Sequence, residues 1–202
     1  MCTQLAALKD DFYLAGGTGL ALQIGHRVSE DFDFFTNRYF DNSQLLRRVE
    51  TVFHEHDIVQ LQNEERTLTL MMRQVKISFF FVEPGPVTPL HESEYFRIAS
   101  VPEIGAFKLI ATLRAAFKDY VDLFFILQQY SLHDLFALAR TKYPGMNESL
   151  YLKALVSYDD VDLSPIQYVK GFETVPEIIF ESIKGHVDRY LKESLKLVTH
   201  NS

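Results

Sequence analysis

A run of four residues, Phe12–Ala15, ends on Gly16-Gly17-Thr18, and after twelve intervening residues the chain reads Asp31-Phe32-Asp33-Phe34. The first run reads as a short buried strand, the glycines stop it, and Thr18 to Ile24 has the composition of a short helix. Asp31–Phe35 alternates acid with aromatic, so as a strand it turns its rings to a core and both carboxylates to the opposite face. Each element has a plain reading by itself: an ordinary turn, and a solvated edge strand or a structural cation site. Their combination is more specific. Gly16 and Gly17 let the backbone approach phosphate oxygens, and the Thr18 hydroxyl and the helix N-terminus add donors. Asp31 and Asp33 can share a hard cation, Mg²⁺ or Mn²⁺. Together they are the parts needed to hold a nucleoside triphosphate and neutralise its charge.

Further along, Ser43–Glu55 carries helical spacing at Leu45, Leu46, Val49 and Phe53, and Ile58–Gln62, Thr67–Met72 and Val75–Val82 read as successive strands. Only Arg73 and Gln74 join the last two, which predicts a hairpin whose turn type the dipeptide does not specify. Glu83 to Glu94, with Pro84, Gly85, Pro86 and Pro89, is a surface loop. Near Ser100 the texture changes from short strand-like runs to helical periodicity. Ser100-Val101-Pro102-Glu103 has the form of a capping box, and Ile104, Phe107, Lys108 and Ala111 continue a helix. Asp119 is expected to cap a second helix and Ser131, with Asp134, a third; Asn147 and Pro176 mark two more starts. The expected fold is α+β, a mixed sheet with flanking helices over residues 1–99 followed by a helical bundle over 100–202.

Composition narrows the setting. With 47% hydrophobic residues in 202, the chain can bury a core unaided. It has no apolar run of membrane-spanning length and no secretion-signal layout, so a cytoplasmic protein without a membrane partner is expected. A formal charge of -7 disfavours a broad basic surface that coats nucleic acid and leaves room for a local basic patch. The single Cys2 makes no internal disulfide, and the seven histidines show no zinc-ligand spacing, His54 and His56 included.

Ala15-Gly16-Gly17-Thr18 followed by Asp31-Phe32-Asp33-Phe34 resembles the signature of the DNA polymerase β-type nucleotidyltransferase superfamily. The resemblance narrows to the AbiEii-like nucleotidyltransferase toxin family over Phe12–Leu22 and His26–Phe34, with further likeness at Ala99–Lys108, Lys118–Phe125, Tyr158-Asp159-Asp160 and Pro165. It implies a nucleotidyltransferase-type sheet, a helical domain that completes the active-site cleft, and Mg²⁺-dependent transfer of a nucleoside monophosphate. The implied substrate is a nucleoside triphosphate, the implied acceptor an RNA 3′ end such as that of a tRNA, and the implied partner a cognate antitoxin. It also implies that Lys108 contacts the nucleotide or the transferring phosphate and that Asp119 completes the catalytic group. On one uninterrupted helix those two would lie about 20° apart in azimuth but roughly 16 Å apart along the axis. A break around Arg114–Lys118 would bring them together.

Many enzymes of this superfamily carry a third carboxylate on a neighbouring strand, where Val75–Phe81 offers Ser78 instead. Either Asp119 supplies the missing acid, or water takes the acceptor's proton, or the protein binds nucleotide without transferring it. A protein hydroxyl is a further candidate acceptor. Arg27 reads equally as a triphosphate ligand and as a solvated loop residue. Phe79–Phe81 and Phe124-Phe125 read as core, and Tyr158–Asp162 as an acidic loop between helices.

Overall fold

The computed structural model describes residues 2–53 and 57–200, so His54 and His56 lie outside the described residues, as does the Cys2 side chain. The chain divides into two compact units, Met1–Ser100 and Val101–Ser202.

The first unit begins with α1 (Cys2–Leu5) and one turn of 3-10 helix over Ala6–Leu8. β1 (Tyr13–Ala15) runs directly into α2 (Gly16–Ile24), so the two glycines are the first residues of the helix and not a separate turn before it. β2 covers Phe32–Thr36, one residue later than the expected Asp31–Phe35, so Asp31 stands just ahead of the strand. α3 (Asn42–Val52) is capped by Asp41, whose side chain accepts from the Gln44 backbone N–H at 2.8 Å. The antiparallel strands β3 (Ile58–Glu64), β4 (Thr67–Met72) and β5 (Val75–Phe81) follow. Arg73 and Gln74 have φ of 47° and 66°, the double positive φ that a type I′ turn requires, carried here without a glycine. One short strand, β6 (His91–Glu92), lies within the expected loop and a second, β7 (Arg97–Ile98), just beyond it, both too brief to leave a periodic signal.

The seven strands form one mixed sheet in the order β3-β4-β5-β2-β1-β7-β6, with β2–β5 and β1–β7 parallel. The alternation in β2 sorts its side chains as the sequence requires. Phe34 is buried and stacks on Phe79 with centroids 5.7 Å apart, and both join Leu14, Leu68, Leu70, Ile77, Leu45 and Val49 in the core. Asp33 takes the other face, opposite Ala15 on β1 and Ser78 on β5. The carboxylate-bearing end of β2 therefore sits beside the start of α2.

The second unit is helical: α4 (Val101–Ala111), α5 (Phe117–Leu127), α6 (Leu132–Lys142), α7 (Glu148–Ala154) and α8 (Pro176–His200). Ser131 and Asp134 form the expected capping box at the start of α6. Ile179, Ile183, Val187 and Tyr190 make a buried stripe along α8 at helical spacing. Of the aromatic pairs read as core, Phe79 and Phe125 are buried. Between α4 and α5 the chain does break, through a 3-10 turn over Thr112–Arg114 and Ala115 at φ 52°. α5 then starts earlier than expected. Its N-cap is Ala116, and Asp119 lies inside the first turn with its carboxylate directed elsewhere. Glu103 on α4 and Lys142 on α6 form an ion pair at 2.7 Å with both side chains fully buried, and the Lys142 ammonium lies 4.9 Å from the centroid of the Phe107 ring.

Candidate nucleotide site

In the first unit the strand-to-helix junction is built around side chains that occupy the space beside the glycines. Gly16 has φ of +60°, and a Cβ there would stand 2.3 Å from Asp33 Oδ2. A Cβ on Gly17 would stand 2.6 Å from Arg27 Nη2 and 2.9 Å from Ser29 Oγ. Glycine is thus demanded twice over at position 16, by conformation and by the carboxylate against it. Gly16→Ala should lower stability by about 1–2 kcal/mol and push Asp33 out of place, measurable as a drop in the urea midpoint.

Thr18 is buried, and its hydroxyl donates to the backbone carbonyl of Asp31 and lies 3.0 Å from Ser29 Oγ. Its visible role is to hold the 29–31 segment against α2, which fixes where the Asp31 side chain leaves the backbone. Arg27 is 7% exposed, so the reading of a solvated loop arginine is corrected: the guanidinium is packed against Gly17, and Nη1 donates to the Val28 carbonyl at 3.0 Å. Asp31 Oδ2 meets Lys76 Nζ at 2.8 Å. Gly16, Gly17, Thr18, Arg27, Asp31 and Asp33 therefore form one cluster, joined by Ser29 and Lys76. Ser78 is directly across from Asp33 in the parallel β2–β5 register, buried, and within hydrogen-bond distance of Thr69 Oγ1 at 3.3 Å. Its hydroxyl accepts from the Thr69 hydroxyl on the neighbouring strand.

Among the described residues no group of three or more His, Cys, Asp or Glu side chains is arranged to hold a metal ion. The donor set at Asp31 and Asp33 is two hard carboxylates, which suits Mg²⁺, an ion that takes one or two carboxylates and completes its shell with water and substrate phosphates.

In the second unit the break before α5 brings together the two residues that share a helix face in sequence. Lys108 Nζ lies 2.8 Å from Asp119 Oδ1 and 2.6 Å from Asp122 Oδ2. Arg114 Nε and Nη2 donate to Asp119 Oδ2 and Oδ1 at 2.6 and 2.8 Å, a bidentate pair. Lys108 is 5% exposed and both aspartates are fully buried, so neither the solvated-lysine nor the simple N-cap reading applies. Burial works against the charge on Lys108, but Asp122 and Asp119 outweigh it and hold its pKa above the ordinary lysine value. A raised pKa means that this group's contribution is fully present below the unfolded-state lysine pKa and is lost only as pH rises through the higher folded value. Stability should therefore show no loss from Lys108 between pH 6 and 9, and an alkaline decline above about pH 10.5 in a pH series of thermal melts.

The sequence pattern by itself gives no site role to Lys76, Ser29, Arg114 or Asp122. Asp122 was within reach of it, since i+3 on a helix puts it beside Asp119. Lys76 was reachable in part, because it shares strand alternation with Ser78; its meeting with Asp31 needed the β2–β5 register.

Residues 1–178 match the family described as the nucleotidyl transferase AbiEii toxin of a Type IV toxin–antitoxin system. The chain belongs to the AbiEii family. The chain is also similar to an uncharacterized protein of Aquifex aeolicus strain VF5, 30% identical over 187 residues that cover 89% of each chain. Two Helicobacter pylori crystal structures share the fold. One, of a nucleotidyltransferase candidate, has a TM-score of 0.67 at 21% identity and covers 96% of this chain and 92% of its own. The other, of JHP933, has a TM-score of 0.61 at 19% identity and covers 98% and 94%. The mixed sheet with flanking helices in this AbiEii chain is thus a nucleotidyltransferase fold. Among the described residues no helix is long and apolar enough to cross a membrane.

Proposed function

We propose that this AbiEii-family nucleotidyltransferase transfers a nucleoside monophosphate from a nucleoside triphosphate to an RNA 3′ end such as that of a tRNA, as the toxin of a toxin–antitoxin pair. The observation that carries the reading is the seating of the Asp33 carboxylate directly against Gly16 at the N-terminus of α2, with the Asp31 backbone carbonyl held by Thr18 of the same turn. A helix N-terminus offers free backbone N–H groups to phosphate. Two carboxylates next to it offer oxygen ligands to the cation that accompanies the phosphate.

In the proposed reaction the acceptor hydroxyl oxygen attacks the α-phosphorus, the bond from that phosphorus to the bridging oxygen of the β-phosphate breaks, and pyrophosphate leaves. Mg²⁺ held by Asp31 and Asp33 would neutralise the charge that develops on the phosphates. Gly16, Gly17, Thr18 and Arg27 form the cradle around that end of the helix, and Lys108 is assigned to the charge on the transferred phosphate. Asp119 has both oxygens in bonds to Lys108 and Arg114, which supports a role in holding those cations in position. The proton of the attacking hydroxyl then passes to water.

Incubating the protein with total RNA and each α-labelled nucleoside triphosphate, with Mg²⁺ or with chelator, tests the reading. Label on RNA that disappears with chelator supports it; label on protein in a lysate moves the acceptor to a protein hydroxyl. The placement of Ser78 across from Asp33 favours one second reading, a module that binds nucleotide without transfer. Calorimetric binding with no label transferred to either class of macromolecule would select it.

A further inference from the structure

Among the described residues, Lys76 is the one cation in contact with the Asp31 carboxylate, at 2.8 Å, and it comes from the strand parallel to β2. Phe32 pairs with Ile77 and Asp33 with Ser78, so continuing the register places Lys76 across from Asp31. Strand alternation puts Lys76 on the same face as Ser78, and hence on the face that carries Asp33. We propose that Lys76 is the resident counter-cation of Asp31 and that a divalent ion must displace it, so that the site discriminates against free metal in favour of a metal–nucleotide complex. This inference rests on the reading of Asp31 and Asp33 as metal ligands.

Charge and mobility support it. With the ammonium in place, the two carboxylates and Lys76 carry one net negative charge where the carboxylates alone would carry two. A free divalent cation arriving there meets a weaker attraction, the repulsion of the ammonium, and an Asp31 oxygen already taken. The neutral Ser78 beside Asp33 adds nothing to offset that loss, because its hydroxyl is buried in the row with Thr69. Yet the pair can open. The Lys76 and Asp31 side chains are 37% and 38% exposed, which screens their attraction, and a four-carbon stem lets the ammonium swing to a new anion without backbone movement. A nucleotide that carries the metal brings such an anion, a phosphate, at the same moment.

The test uses the full chain and Mn²⁺ alone as probe, with free Mn²⁺ read from its paramagnetic resonance signal. Lys76→Met, which keeps the aliphatic stem, and Lys76→Gln should each tighten Mn²⁺ binding by about three- to tenfold. Lys76→Arg should stay within about twofold of the native chain, since it restores the charge. In an Asp31→Asn background, Lys76→Met should no longer tighten binding, because the competition it removes is specific to that carboxylate. If the native chain binds Mn²⁺ and both neutral variants bind it equally or more weakly, the role of Lys76 is overturned while the metal site stands. If neither the native chain nor the neutral variants bind Mn²⁺, the metal-site reading falls and takes this inference with it.

Discussion

Asp33→Ala and Asp31→Ala should each cut nucleotide transfer by about a thousandfold or more, equivalent to roughly 4 kcal/mol of transition-state stabilisation, while the melting temperature moves little. The two arguments for a preserved fold differ. Asp33 is half-buried on the face of β2 opposite Phe34 and lies outside the apolar core, so shortening it opens no core cavity. Asp31 holds the Thr18 hydroxyl through its backbone carbonyl, a bond that survives truncation of its side chain. Asp31→Ala also releases Lys76 from its ion pair, and that exposed pair is worth at most about 1 kcal/mol. The check is a labelled-nucleotide transfer assay run beside a thermal melt on the same preparations. Transfer at the native rate in either variant removes the assignment of these carboxylates, and loss of transfer with collapse of the melt makes them structural.

The junction was legible because its signals are local. Two glycines after an apolar run, and acids alternating with aromatics, each dictate backbone or face within five residues, and the structure places Ala15, Gly16 and Asp33 as those rules require. What stayed hidden depended on register or on distance in sequence. Arg27 was ambiguous because exposure in a loop cannot be read from its own residues; its burial follows from the absent Cβ of Gly17, ten positions earlier. Asp119 misled for a different reason. An acid after a break is a natural N-cap, but the side chain had stronger partners in Lys108 and Arg114, and α5 began at Phe117 with Ala116 as its cap. The two-residue strands β6 and β7 are held by pairing with a neighbour and have no periodicity of their own.

The cluster around Lys108 makes stability and chemistry hard to separate, and the size of the stability effect shows how to separate them. Lys108→Met should lower unfolding free energy by about 3–5 kcal/mol, because it leaves Asp119 and Asp122, both fully buried, without the ammonium that bridges them. Arg114 still neutralises Asp119, so the pair to remove together is Lys108 and Asp122. Lys108→Met/Asp122→Leu, which replaces that pair with apolar groups, should therefore recover a large part of the loss, as removing both partners of a buried pair costs less than removing one. Urea unfolding of the native chain and the two variants measures this directly, and equal destabilisation in the single and double variants would contradict it. Activity then discriminates between the roles. If Lys108 serves only the fold, the double variant regains transfer along with stability; if its charge acts on the transferred phosphate, stability returns and transfer does not.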